Sequence, residues 1–308
     1  MNFTLHQLKV FATVVENKSV TKASDFLNMT QPAVSIQLKN LQDQFDTPLT
    51  EVIGRQLYVT DFGNELYQVA IKILEDVSTI NYRTQSARGI LSGKLKISVV
   101  STGKYVMPFY LKYFLKENPG VDLLMDVTNK SKVVKSLEDN EVDFSLVSVL
   151  PEAMNLGKEV LMQNKLFLIA PADMKFTAHK QLNKTVFTDM PLIFREEGSG
   201  TRFKMQQYFK QANIVPKIKM ELTSSEAVKQ AVMAGLGCSV LSLLSIRSEL
   251  KEKELKIIPV KGLPILSSWM LVWQKKKKFS MVAGAYLAYI QKNKAAIYKD
   301  HFSWIEAY

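Results

Sequence analysis

The sequence predicts an α/β protein in two parts. Three short helices, a small hairpin and a long helix come first, and a larger domain of two α/β subdomains follows. Apolar residues recur at spacings of three and four through residues 5–45 and again through 62–80, the period of amphipathic helices. Beyond Gly89 and Gly93, short apolar runs alternate with helical patterns in two successive series, the pattern of βαβ units. A length of 308 residues accommodates two domains.

Leu5, Leu8, Phe11, Ala12 and Val15 place the first helix over residues 4–17. A second short helix covers residues 20–27, with Ala23, Phe26 and Leu27 as its apolar side. Thr30 then offers an N-cap hydroxyl, and Pro32 sits in the first turn, where a missing N–H costs little. The third helix is expected to run to about Phe45. Val34, Leu38, Leu41 and Phe45 form its buried stripe, and Pro32, Ser35, Ile36, Lys39 and Asp43 lie opposite. Three short helices with a tight turn before the last satisfy the requirements of a helix-turn-helix. Extended pieces at 50–53 and 56–60, separated by Gly54-Arg55, predict a hairpin wing. From Asp61, the expected cap, a long helix places Phe62, Leu66, Val69, Ile73, Val77 and Ile80 on one narrow seam. Such a seam suits a second copy of the same helix; docking on the chain's own core is the competing reading. Gly89 and Gly93 bracket an expected hinge.

In the larger part, KLKISVV precedes a helical pattern at 106–117, LLMDVT one at 131–139, and VDFSLVSV closes the series. The second series runs KLFLIA, PLIFR with a helix at 201–212, KIKMELT with a helix at 225–235, and CSVLS. Mostly parallel sheets are expected. A late strand at 268–274 and a helix at 280–294 are positioned to return to the first subdomain.

Composition narrows the function. Hydrophobic residues are 47% and charged residues 22% of the chain, ordinary for a soluble globular protein. No apolar run approaches the roughly 18–20 residues that span a bilayer, and the N-terminus lacks the apolar core of a secretory signal, so a cytoplasmic location is expected. The single cysteine, Cys238, excludes an internal disulfide and reads as a buried structural thiol. His6, His179 and His301 show no metal-ligand spacing, so neither a metal nor another cofactor is expected. No glycine-flanked nucleophilic serine and no phosphate loop with its lysine is present, which argues against catalysis. The net charge is +11, but residues 1–91 hold eight Lys/Arg against nine Asp/Glu, whereas 92–308 hold 32 against 20. The basic excess therefore lies outside the helix-turn-helix. The four lysines at 275–278 read as a solvated turn.

TQPAVSIQLKNLQDQFD at 30–46 resembles the recognition helix of LysR-type transcriptional regulators, and FATVVENKSVTKASDFLNMTQPAVS is similar to that family's first helices in order and spacing. ENPGVDLLMDV, LEDNEVDFSLV and AVMAGLGCSVLS resemble patterns of its effector domain, so the likeness spans the whole chain. Two departures stand out. Pro48-Leu49 leads into Thr50-Glu51-Val52 instead of an aromatic and a basic residue, and Ile36 stands where the family often has a basic residue.

The resemblance implies a winged helix-turn-helix over 1–60, a linker and dimerisation helix over 61–91, and an effector-binding domain like a periplasmic binding protein over 92–308. Subdomain I would take about 92–162 and 268–308, and subdomain II about 163–267. Resemblance and helix geometry together nominate Thr30, Gln31, Pro32, Ser35, Ile36 and Lys39, with Arg55 in the wing, for double-stranded operator DNA. Gln31 suits adenine, Ile36 a thymine methyl, and Lys39 and Arg55 phosphates. A homodimer or homotetramer would read a partly palindromic site, with RNA polymerase as a further partner and no membrane.

For the effector, three strand-to-helix turns facing a cleft offer free N–H groups: Ser101-Thr102-Gly103, the stretch from Arg195 through Ser199, Gly200 and Thr201 to Arg202, and Ser224-Ser225. The second suits a small anionic metabolite and is similar to a motif of regulators of carbon-fixation operons or of sulfite and cysteine metabolism. Pairing of Arg195 and Arg202 with Glu196, Glu197 or a neighbouring carboxylate is the competing reading. A solute-binding protein without DNA-binding activity is the alternative for the whole chain.

Overall fold

Capping side chains set the boundaries of the first helices. In the computed structural model, which describes residues 2–54, 56–86, 89–151, 154–175 and 182–308, α1 (Leu5–Asn17) opens with a capping box. Thr4 Oγ1 accepts the Gln7 N–H at 3.2 Å, and Gln7 Oε1 accepts the Thr4 N–H at 2.7 Å, which satisfies two otherwise orphaned donors. α2 (Val20–Leu27) is capped by Ser19 and α3 (Gln31–Gln42) by Thr30, as expected for Thr30. α1 buries two sides. Leu8, Phe11 and Val15 join Leu41, Leu49 and Ala70, while Val10 and Val14 join Ala23 and Val34.

Several expectations for this region are corrected. Leu5 is exposed, and Phe26 is 71% exposed. Phe26 lies about 60° round α2 from Ala23, on the side away from Leu27, and only the Ala23–Leu27 side meets the core. α3 ends at Gln42 instead of Phe45, because the Gln42 side chain turns back to accept the Leu49 N–H at 2.6 Å.

β1 (Thr50–Ile53) and β2 (Gln56–Val59) pair antiparallel as the predicted wing, with Gly54 at φ +57° in its turn. α4 (Asp61–Ser86) is capped by Thr60, not Asp61, since Thr60 Oγ1 accepts the Gly63 N–H at 2.9 Å. Its expected seam divides. Phe62, Leu66 and Ile73 pack on the chain's own core beside Ala70, while Val69 and Ile80 are exposed.

Residues Met1–Ile90 and Leu91–Tyr308 form two compact units. The second runs β3 (Ser92–Val100), α5 (Met107–Glu117), β4 (Gly120–Thr128), α6 (Lys130–Glu138), β5 (Phe144–Val147), β6 (Leu156–Pro171), α7 (Val186–Asp189), β7 (Leu192–Arg195) and α8 (Gly200–Ala212). It continues with β8 (Ile218–Leu222), α9 (Ser225–Met233), β9 (Ser239–Ser242), α10 (Arg247–Lys251), β10 (Leu255–Ile258), β11 (Ile265–Gln274) and α11 (Met281–Phe302). Gly93 lies inside β3, not in a hinge, whereas Gly89, at φ +76°, precedes the division between the units.

The main sheet runs β10-β6-β11-β5-β3-β4, with β9 also on β6. Mostly parallel pairing is corrected: β3 pairs parallel with β4 and β5, and β7 with β8, but β6 pairs antiparallel with β9, β10 and β11, and β11 antiparallel with β5. The reason is topological. β6 carries the chain from the first half of this unit to the second and β11 brings it back, so the two long strands run in opposite directions along each other. One large apolar cluster surrounds Trp269, Tyr110 and Tyr286, and another surrounds Phe187, Phe194 and Phe209. Cys238 lies in the second, where burial pushes its thiol up to about 11. Lys275, Lys276 and Lys278 are exposed in the turn after β11, whereas Lys277 is half-buried and reaches Asn140 Oδ1 at 2.7 Å and Asp143 Oδ1 at 3.9 Å.

Gly63 has no room for a side chain: a β-carbon there would overlap the Leu49 carbonyl oxygen. Gly63→Ala is expected to destabilise the first unit by at least about 1–3 kcal/mol. Urea denaturation followed by circular dichroism checks this, and an unchanged midpoint would contradict the packing described.

Candidate functional site

One face of α3 is turned to solvent. Val34 and Leu41 are fully buried beneath it, whereas Gln31, Pro32, Ile36 and Lys39 are exposed and Ser35 is half-buried at the edge. Ile36, at 56% exposure, is an apolar side chain that the fold leaves in water. Thr30 already uses its hydroxyl oxygen on the Ala33 N–H at 3.4 Å. Arg55, nominated in the wing, lies outside the described residues.

The second unit carries a narrow cleft, with a cavity volume of about 20 Å³, at the C-terminal ends of its parallel strands, where open α/β sheets place ligands. Val100, Ser101 and Thr102 follow β3, and Asn129 and Lys130 open α6. Val147, Ser148 and Val149 end β5, and Arg195, Glu196, Ser199, Gly200 and Thr201 join β7 to α8. The walls approach closely: a β-carbon on Gly198, at φ +83°, would sit 2.8 Å from Ser131 Oγ, and one on Gly200 would sit 3.4 Å from Ser148 Oγ. Ser199 caps α8 and Asn129 caps α6, so two helix N-termini open at this cleft.

Arg195 is the hub. Its side chain is buried, the residue being 3% exposed. Nε donates to Glu196 Oε2 at 2.7 Å and Nη2 to Glu196 Oε1 at 2.8 Å. Nη1 donates to Ser225 Oγ, and Nη2 also reaches Ser101 Oγ at 3.3 Å. One guanidinium thus ties β7 to the end of β3 and to the start of α9, with its charge balanced by Glu196. Arg202 donates to the Arg195 carbonyl at 3.0 Å and pairs with Glu221 and, at 3.5 Å, with Glu197. Both arginines therefore have the internal carboxylate partners of the competing reading.

Of the nominated effector residues, the cleft brings together Ser101, Thr102, Arg195, Ser199, Gly200 and Thr201. Gly103 faces the core, where a β-carbon would come within 2.6 Å of Val99. Arg202 lines a neighbouring hollow with Lys130, Glu197, Gly198, Ser199, Phe203 and Gln206. Ser224 caps α9, and Ser225 stands behind Arg195. Sequence reasoning missed Asn129, Lys130 and Ser148, and named Glu196 only as a partner for the arginines. Asn129 follows a strand and precedes a helical pattern, so the rule that found Ser101 and Ser199 also reaches it. Among the described residues no group of His, Cys, Asp and Glu is arranged to hold a metal ion, and no helix is long and apolar enough to cross a membrane.

Residues 5–64 match the family model described as bacterial regulatory helix-turn-helix protein, lysR family, and residues 88–295 match the LysR substrate binding domain. This chain belongs to the LysR family of bacterial transcriptional regulators. Among its LysR relatives, a RuBisCO operon transcriptional regulator of Allochromatium vinosum is 34% identical over 97% of this chain and 99% of its own length. One of the same description from Acidithiobacillus ferrooxidans is 36% identical over 93% of each chain. The regulatory domain of Synechocystis PCC6803 CcmR, solved in complex with 2-PG, is 31% identical and covers 69% of this chain and 99% of its own, with a TM-score of 0.62. Full-length CbnR, solved with its target DNA, has a TM-score of 0.73 over 94% of this chain and 99% of its own; at 20% identity it shows the shared LysR fold.

Removing the hub should be costly, because Glu196 would keep a charge without a partner. Arg195→Ala is expected to destabilise the second unit by about 3 kcal/mol or more. Arg195→Met combined with Glu196→Gln should recover much of that loss in denaturant titrations of the full chain. Equal loss in both variants would contradict the pairing as the source.

Proposed function

We propose that this LysR-family chain is a cytoplasmic regulator, without enzymatic activity, that binds a partly palindromic operator as a homodimer or homotetramer and responds to a small anionic metabolite in the cleft. Residues 1–60 would read DNA, 61–91 link and dimerise, and 92–308 sense. The observation that carries the reading is the outward face of α3, where polar and apolar side chains stay in solvent above a buried Val34–Leu41 stripe. A helix of this kind docks in the major groove. Gln31 matches the donor and acceptor pair of adenine, Ser35 can donate or accept, and Ile36 suits a thymine methyl. Lys39 and Arg55 would grip phosphates, with RNA polymerase contacting the bound regulator.

The anionic effector is supported by the two helix N-termini at the cleft and its hydroxyls Ser101, Thr102, Ser199 and Thr201. The names of the relatives favour carbon-fixation operons as targets, and the CcmR complex makes 2-PG the first compound to test. Binding that favours one angle between the walls would shift the population of cleft states and alter half-site spacing.

Two measurements check the reading. With an operator selected from random duplexes by the full chain, Gln31→Ala should cost about 1–3 kcal/mol of discrimination at one adenine position. Lys39→Ala should weaken all sequences alike and reduce the salt slope by about 1. Failure of the full chain to select any sequence would refute operator binding. In thermal-shift assays with 2-PG, sulfate, sulfite and phosphorylated sugars, at least one compound should raise Tm through selective binding to the folded state. No shift with any of them would count against the anionic effector.

A further inference from the structure

Two cations line the cleft, and they are not equivalent. Arg195 is buried and neutralised by Glu196, so an incoming anion meets a guanidinium most of whose donors are already committed. Lys130 lines both the cleft and the adjoining hollow. Among the described residues it has no carboxylate partner, and its ammonium rests 4.8 Å from the centroid of the Phe203 ring. Lys130 opens α6, in the first half of the unit, and Phe203 stands on α8, in the second. The contact therefore joins the two halves in the hollow beside the cleft.

We propose that Lys130 recognises the charge of the effector by leaving the Phe203 ring for the bound anion, so that occupancy of the cleft exchanges a contact between the walls for a contact to the ligand. This rests on the anionic-effector reading above. A lysine carries a point charge on a flexible four-carbon stem, which suits it to two positions. A cation–π contact in a solvent-exposed hollow is weak beside a charge-assisted hydrogen bond to an anion in a confined cleft. Ser199 lines both hollows with Lys130, so the ammonium has a polar neighbour at either position. The arginines supply what the lysine does not: Arg195 and Arg202 hold the turn between β7 and α8 in place.

Isothermal titration of the full-length protein with 2-PG and with inorganic phosphate tests the assignment. Lys130→Gln should weaken binding by about tenfold to a hundredfold while leaving Tm without ligand within a few degrees of wild type, and Lys130→Arg should retain most of the affinity. Phe203→Ala removes the resting partner of the ammonium. It should tighten binding by about two- to fivefold, and the gain should disappear in the Lys130→Gln, Phe203→Ala double variant. A purely structural role for Phe203 would weaken binding instead. Wild-type affinity in Lys130→Gln overturns the proposal and leaves the anionic-effector reading standing. Unchanged or weaker binding in Phe203→Ala overturns the exchange. A wild-type protein that binds neither probe overturns both the reading and the proposal.

Discussion

A guanidinium out of water must find its partners inside the protein, and the cleft of this chain is built round one that does. Arg195 takes both oxygens of Glu196, one hydroxyl from the turn after β3 and one from the start of α9. Those partners lie at positions 101, 196 and 225, so a single buried charge draws separate strand ends to one point. The long antiparallel pair of β6 and β11 supplies the continuous backbone between the halves. Without the hub, the turn that opens α8 would lose its side-chain tie to the hydroxyl of Ser101.

Local signals were the most legible part of the sequence. Thr30 caps α3, Val34 and Leu41 turn inward, and the wing pairs across Gly54, all from short-range periodicity and turn chemistry. Periodicity shows which residues share a face but not what covers it. Phe26 shares a side of α2 with Ala23 yet meets solvent, and the seam of α4 is divided between core and water. The first half of β6 escaped notice because Lys158, Glu159 and Gln163 interrupt its apolar pattern. Two charged side chains of β6 are placed by something distant in sequence: Glu159 by Lys294, and Lys165 by the C-terminal segment.

The site was legible in kind and misassigned in detail for the same reason. The arginines, glycines and hydroxyls at 195–202 do line or flank a cleft, and the sequence offers Glu196 to Arg195 as the competing reading, but it does not show that Glu221, 19 residues on, comes to Arg202. With both arginines neutralised, Lys130, a residue with no motif around it, is the cleft cation without a carboxylate partner among the described residues. Charge is redistributed in this way across the second unit, where Lys229 meets Glu226 and Glu249. The excess of basic residues in 92–308 thus coexists with internal pairing. Residues 1–91, at a balance of −1, bring no net positive charge to attract phosphates.

The claim on which this account rests is that the cleft between Ser101 and Gly200 is where a small anion acts. Hydrogen–deuterium exchange of the full-length protein, with and without saturating 2-PG, tests it amide by amide. Slower exchange confined mainly to 101–103, 129–132, 148–149 and 199–202 is the expected result. Ligand-dependent slowing elsewhere, with those amides unchanged, would contradict it.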